Sequence, residues 1–252
     1  MRRVLEGSVA VAEAVRACRP DVISAYPITP QTHIVEALAR MVADAELDAQ
    51  FVKVDSEFSA ASVCLGASAV GARAYSATTS QGLLLMLEVV FNIAGLRLPM
   101  VMTVANRAVS SPLNIWNDQQ DSMTVRDSGW VQFFAQDSQE CVDLHIQAFR
   151  IAEDHRVHLP VIVNMDGFIL THTYEPVEIP DGALVDRFLP PYEPLFRLDP
   201  DMPLTLGAYA GPERYHEIRH SLHEAVLGAK PVIREVAQEY AALTGRFSGD
   251  LI

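Results

Sequence analysis

Two hundred and fifty-two residues, half of them hydrophobic, can bury a full core in one large domain or in one domain with an appendage. A formal net charge of −13 argues against a nucleic-acid partner, because phosphate backbones are held by clustered Lys and Arg. Cys18, Cys64 and Cys141 lie far apart with no Cys-x-x-Cys, so this chain alone builds neither a zinc knuckle nor an iron–sulfur cluster.

Residues Met1 to Gly7 carry two arginines but no apolar h-region and do not read as a signal peptide. Val9 to Cys18 is Ala/Val-rich and helical, and Asp21 to Tyr26 is a short apolar strand. Thr32 to Val42 places Ile34, Val35, Leu38 and Met41 at helical spacing. Gln50 to Val54 reads as a strand, Phe58 to Val70 as a small-residue helix, and Arg73 to Thr78 as the next strand. The apolar helix Gly82 to Ala94 follows, then the strand Pro99 to Val104. Val131 to Ala135 and Val161 to Met165 are further strands, with the helix Glu140 to Asp154 between them. Strands alternating with helices imply parallel βαβ units, hence an α/β fold with a doubly wound, mostly parallel sheet.

The longest apolar run, Gly82 to Val90, is broken by Glu88 and falls short of the roughly 20 residues of a bilayer span, so no membrane insertion is expected. Cys18 and Cys64 fall in apolar helical patterns and read as buried thiols, which suits a reducing cytoplasm. Seven of the fifteen prolines lie between Pro176 and Pro203, and proline fixes φ and lacks a donor, so an extended arm is expected there. A last helix starts at Pro212, with Tyr215, Ile218, Leu222 and Val226 on one face. The expected division is a domain over 1–174, then an arm and C-terminal helix over 175–252 leading to a missing or separate second domain.

Three polar groups follow strands: Tyr26-Pro27-Ile28-Thr29-Pro30, Asp55-Ser56-Glu57 and Ala105-Asn106-Arg107. Ligands of open α/β sheets bind outside the carboxyl ends of strands. Glu57 reads either as charge complementing a helix start or as a crevice carboxylate. Arg107 reads as a solvated side chain or as a bidentate clamp on a carboxylate. Thr29 sits in a rigid turn between two prolines, where its hydroxyl would be preorganised. Thr78-Thr79-Ser80-Gln81-Gly82 reads as a helix cap and lacks both the dinucleotide and the P-loop glycine pattern. Asn114 to Asp121 reads as a recognition loop beside Arg107, with no specific metal-ligand spacing. The histidines, His145 and His155 in one helix, His172 on the arm, and His216, His220 and His223 in the last helix, read as surface residues. No metal site is expected on this chain.

The ordered series Tyr26-Pro27-Ile28-Thr29-Pro30, Asp55-Ser56-Glu57, Thr79-Ser80-Gln81-Gly82-Leu83, Ala105-Asn106-Arg107 and Asn114-Ile115-Trp116-Asn117-Asp118-Gln119-Gln120-Asp121 resembles a known family. It is similar, over roughly residues 5 to 245, to the alpha subunit of the 2-oxoacid:ferredoxin oxidoreductases, most closely the pyrimidine-binding domain of pyruvate:ferredoxin oxidoreductase. The resemblance implies thiamine diphosphate as cofactor. Glu57 would hydrogen-bond N1′ of its aminopyrimidine and favour the imino tautomer, Pro27 would lie against that ring, and Thr29 and Arg107 would hold the substrate carboxylate. The reaction implied is oxidative decarboxylation of a 2-oxoacid, pyruvate first, to acyl-CoA and carbon dioxide, with electrons passing to ferredoxin.

The chain departs from a complete thiamine enzyme. No Gly-Asp-Gly occurs, since Asp166-Gly167 and Asp181-Gly182 lack the preceding glycine. The resemblance therefore implies a beta subunit carrying the Mg²⁺ and diphosphate half-site, with [4Fe-4S] clusters on a delta-type subunit and a gamma-type subunit besides. Two other readings stay open: half of a transketolase-like, non-redox thiamine transferase, and a non-catalytic scaffold of the same fold.

Overall fold

A computed structural model of the chain describes residues 2–247. β1 (Arg2–Glu6) runs directly into α1 (Gly7–Ala17). β2 (Val22–Ala25) is followed by α2 (Thr32–Ala43), β3 (Gln50–Lys53), α3 (Glu57–Ala69) and β4 (Ala74–Thr78). Next come α4 (Ser80–Leu85), α5 (Leu87–Gly95), β5 (Val101–Asn106), α6 (Gln120–Thr124) and β6 (Val131–Phe134). α7 (Ser138–Ala152) and β7 (Val161–Asp166) precede α8 (Ile169–His172), β8 (Tyr174–Glu178), α9 (Gly182–Phe188) and α10 (Pro212–Thr244).

Six strands form one parallel sheet in the order β3-β2-β4-β5-β7-β6, the doubly wound architecture that the alternating pattern implies. Side chains alternate along each strand. Val101, Ala105, Val161 and Val163 therefore face a core under α1, α2 and α7, while Met102, Val104 and Ile162 face a second core under α3, α4 and α5. From β2 the chain moves outward to β3, then crosses back to β4 on the other side of β2. That reversal opens a crevice at the carboxyl ends of β2 and β4, where such folds place their ligands.

Several expectations need correction. Arg2–Glu6 pairs antiparallel with Tyr174–Glu178 in a separate two-stranded sheet, with Val4 opposite Pro176. The helix expected over Gly82 to Ala94 is two, because Met86 N–H is shared between the Gly82 and Leu83 carbonyls and tightens the end of α4. The proline-rich stretch is interrupted by α9, capped by Asp181 accepting from Leu184 N–H at 2.8 Å. The arm lies on its own domain: Arg73 Nη2 donates to the Pro190 carbonyl at 2.9 Å and Leu198 N–H to the Ala69 carbonyl at 2.7 Å.

In α10 the buried positions are Leu222, Ala229, Val232, Val236 and Tyr240. Tyr215 and Ile218 are exposed, because the first turns of this helix carry no buried residue. His145 is fully buried, not on the surface, because α7 is covered by the sheet, by α1 and by α10. All three cysteines are free and buried. Among the described residues no helix is long and apolar enough to cross a membrane.

Candidate functional site

Glu57 opens α3. Ser56 caps that helix by accepting from Ser59 N–H at 3.2 Å, and Asp55 accepts from the Ser59 hydroxyl at 2.7 Å, so neighbours complete the helix start without Glu57. The Glu57 side chain turns inward and only 7% of the residue is exposed. Its carboxyl makes no hydrogen bond or ion pair among the described residues. It lies over the start of α4, where a β-carbon on Gly82 would come within 2.8 Å of Glu57 Oε1 and 2.6 Å of Thr78 Oγ1. The Thr78 hydroxyl is itself buried with no partner among the described residues.

Arg107 follows β5 and is equally buried, at 7% exposed. Its Nη1 donates to the Thr29 carbonyl at 2.7 Å and its Nη2 to Gln81 Oε1 at 2.6 Å, while Nε is buried without a partner. Burial lowers the pKa of its guanidinium from the usual arginine value, with the Asp121 charge opposing. Thr29 thus meets Arg107 through its backbone. The residue itself is exposed, as are Pro27 and Tyr26 beside it. Gln81 joins the two halves of the site: it holds Arg107, and its chain neighbour Gly82 touches Glu57.

Two residues that hold this frame were not singled out from the sequence. Gln31 is buried and donates through Nε2 to the carbonyls of Tyr26 at 2.8 Å and Ala77 at 3.1 Å, which pins the Pro27–Thr29 turn to the end of β4. Asp121, foreseen only as part of a loop, accepts four N–H donors. Oδ1 takes Asn106 Nδ2 at 2.9 Å and Ser122 N at 2.7 Å; Oδ2 takes Ser80 N at 2.9 Å and Arg107 N at 3.0 Å. Burial raises its pKa and the donors pull it down, so it acts as a fully satisfied anchor for the ends of β4 and β5. Ser80 sits at φ 45°, a strained conformation held by that bond and by its hydroxyl donating to the Ala108 carbonyl at 2.7 Å.

The Asn114–Asp118 loop borders the site. Its Trp116 is 56% exposed and packs on Phe168 at 4.6 Å between ring centroids. A concavity of about 660 Å³ lined by Arg16, Asp21, Arg73 and Tyr192 lies at the opposite, amino-terminal end of the strands. The Glu57–Arg107 site lies at the other, carboxyl-terminal end of the strands. Chemically it offers an unpartnered carboxyl, an unpartnered hydroxyl and an arginine with a spare donor, which together suit a ligand bearing ring nitrogens and an anionic group.

A family model described as pyruvate flavodoxin/ferredoxin oxidoreductase, thiamine diphosphate-binding, matches residues 13–238. The chain is 55% identical over 250 residues to pyruvate synthase subunit PorA of Methanosarcina barkeri, covering 99% of this chain and 62% of that one. It is 46% identical over 253 residues to ketoisovalerate oxidoreductase subunit VorA of Pyrococcus abyssi, covering 100% and 64% respectively. The chain therefore spans about three fifths of the length of these relatives. Among solved structures, a 2-oxoglutarate:ferredoxin oxidoreductase from Magnetococcus marinus, with 2-oxoglutarate, coenzyme A and succinyl-CoA bound, shares the fold. Its TM-score is 0.70 at 20% identity, over 93% of this chain and 45% of that one.

Proposed function

This chain belongs to the pyruvate flavodoxin/ferredoxin oxidoreductase family, and from that premise we propose that it supplies the aminopyrimidine half of a thiamine diphosphate site. The enzyme would oxidatively decarboxylate a 2-oxoacid to acyl-CoA and carbon dioxide and pass the electrons to ferredoxin, in the cytoplasm. Pyruvate is the favoured substrate, because the relative at 55% identity is named for pyruvate and the one named for ketoisovalerate stands at 46%. One observation carries the reading. A carboxyl buried to 7% exposure, without a protein partner among the described residues, faces the glycine that makes room beside it.

When bound, thiamine diphosphate supplies the nucleophilic carbon and the electron sink for decarboxylation. Glu57 would hold the aminopyrimidine and exchange a proton with it through its carboxyl. Gly82 leaves that carboxyl its space, and Pro27 would offer a flat apolar surface to the ring. Arg107 and Thr29 would fix the substrate carboxylate, which sets the angle of the bond to be broken. Gln81 and the Thr29 carbonyl hold the Arg107 guanidinium, and Asp121 holds its backbone N–H.

Residues 1–174 would form the pyrimidine-binding unit, and 175–252 the arm and helix that lead toward a further domain. The beta subunit would bring the Mg²⁺ and diphosphate half-site, and a delta-type subunit with [4Fe-4S] clusters and a gamma-type subunit would complete the complex. The surface beside Glu57 is the one such a partner would cover. The test is coenzyme A-dependent viologen reduction by the co-purified complex with pyruvate, 2-oxoisovalerate and 2-oxoglutarate in parallel. Pyruvate should give the highest kcat/KM. Turnover without viologen reduction would support the transferase reading instead.

A further inference from the structure

Beside this site, three side chains from distant parts of the sequence converge at one half-buried spot. Glu6 ends β1, His33 lies in the first turn of α2, and His172 ends α8. The atoms through which they could bind a metal all lie within 4.8 Å of one another. Glu6 Oε1 and His33 Nδ1 are 2.6 Å apart, and the His33 and His172 rings are 4.9 Å apart between centroids.

The backbone holds this trio from three sides. Glu6 pairs with Tyr174 across β1 and β8, and Gly7 N–H donates to the Thr173 carbonyl at 3.1 Å. A β-carbon on Gly7 would strike the Leu170 carbonyl oxygen at 2.0 Å, so glycine alone lets α1 approach α8 this closely. Thr171 Oγ1 accepts from Phe168 N–H at 2.8 Å and lies 2.7 Å from His172 Nδ1. Either nitrogen of His172 can carry the proton; in the tautomer where Thr171 Oγ1 accepts from Nδ1–H, Nε2 keeps the lone pair a metal needs, the arrangement that outer partners of metal-bound histidines favour. Phe168 stacks on the other side of that ring at 4.7 Å and an interplanar angle of 14°.

We propose that Glu6, His33 and His172 form a binding site for a borderline divalent transition metal, of which Zn²⁺ is the representative. Two imidazoles and a carboxylate supply three ligands, and solvent supplies the fourth. A tetrahedral ion with bonds of about 2.1 Å needs ligand atoms about 3.4 Å apart. The Glu6–His33 pair already lies closer than that, and the half-exposed His33 side chain closes the remaining gap by rotation. Such an ion ties the start of α2 to α8. His33 follows the Thr29–Pro30 turn by one short step, and a β-carbon on Gly167, just before α8, would meet Pro30 Cγ at 3.0 Å. Metal binding would therefore stiffen the turn that presents Thr29. The site is independent of the thiamine reading.

The test is a Zn²⁺ titration of the metal-stripped full chain in a His216→Ala/His220→Ala background. This removes the exposed i, i+4 histidine pair on α10, which could bind Zn²⁺ by itself. No turnover is involved, so failure here is separate from failure of the enzymatic proposal. The expected result is one equivalent bound, with His33→Ala and His172→Ala each weakening affinity more than about tenfold. Thr171→Val should weaken it as well. Co²⁺ in place of Zn²⁺ should give the intense visible bands of a four-coordinate site in the parent protein, a readout that needs no further variant to fold. Absence of those bands, or Zn²⁺ affinity unchanged in both histidine variants, would overturn the proposal.

Discussion

Gly82 and Glu57 compete for one space: a β-carbon on Gly82 would stand 2.8 Å from Glu57 Oε1. The same carbon would stand 2.6 Å from Thr78 Oγ1, so both side chains must move to admit it. Gly82→Ala should leave the fold intact, since residue 82 lies in helix α4 and alanine favours helix. Activity of the reconstituted complex should fall about a hundredfold, the usual penalty for displacing a reacting group by roughly 1 Å. Circular dichroism and viologen reduction on the same preparation check both halves, and full activity would mean that Glu57 tolerates displacement.

Arg107 is held at both ends of its guanidinium, by the Thr29 carbonyl at 2.7 Å and by Gln81 Oε1 at 2.6 Å. A lysine offers one point charge where arginine offers a planar fork. Arg107→Lys should lower kcat/KM for the 2-oxoacid by about 10² to 10³, with KM and kcat both affected. Gln81→Leu should cost about tenfold, mainly in KM, because the clamp is loosened and not removed. Steady-state kinetics on the complex separates these outcomes.

The parallel sheet is legible because most of its strands are short apolar runs separated by helix-period segments. For the same reason the sequence places Glu57, Arg107 and Thr29 at strand ends. It does not place their partners. Gln31, Gln81 and Asp121 are chosen by how separate strand ends approach one another, and nothing local marks an Asp that accepts four N–H groups. Arg2–Glu6 and Tyr174–Glu178 carry little strand signal, because each is short and one contains Pro176, which reads as arm. His145 looked like a surface residue because its helix carries polar positions all round, and only the packing of α7 between the sheet and two helices buries it. The Glu6–His33–His172 trio has no spacing to recognise, since its members come from three elements.

Buried between α7 and the sheet, His145 ends a hydrogen-bonded chain. Its Nδ1–H donates to the Cys141 carbonyl at 2.6 Å and Nε2 lies 2.6 Å from Thr103 Oγ1, which in turn lies 2.6 Å from the Tyr75 hydroxyl. Burial pushes its pKa down from 6.5 to about 4. Between those values the unfolded chain binds the proton and the folded chain does not. Stability from the neutral imidazole is therefore complete above about pH 6.5 and is lost as pH falls toward 4, by on the order of 3 kcal/mol. Denaturant unfolding at pH 4 to 8 should show this slope, and His145→Gln should flatten it.

Arg73 and Glu153 form a buried two-point ion pair, at 2.5 Å through Nε and 2.7 Å through Nη2. The same guanidinium holds the Cys18 carbonyl at 2.7 Å and the Pro190 carbonyl at 2.9 Å, so it fastens the arm to the sheet. Arg73→Ala would leave Glu153 buried without its partner and should cost about 3–5 kcal/mol. Arg73→Met/Glu153→Leu should cost clearly less, because no charge is stranded. Urea unfolding of the two proteins, with limited proteolysis between residues 189 and 206, distinguishes a stranded charge from a merely loosened arm.

The measurement that bears most directly on the function is coenzyme A-dependent viologen reduction with pyruvate by the complex carrying Glu57→Ala, set beside the unaltered complex. With subunit assembly intact, loss of about 10² to 10⁴ in rate is the predicted result, since the carboxyl would be the proton-exchanging group at the aminopyrimidine. Activity indifferent to Glu57 would contradict the account and leave this chain as a fold that carries no part of the thiamine chemistry.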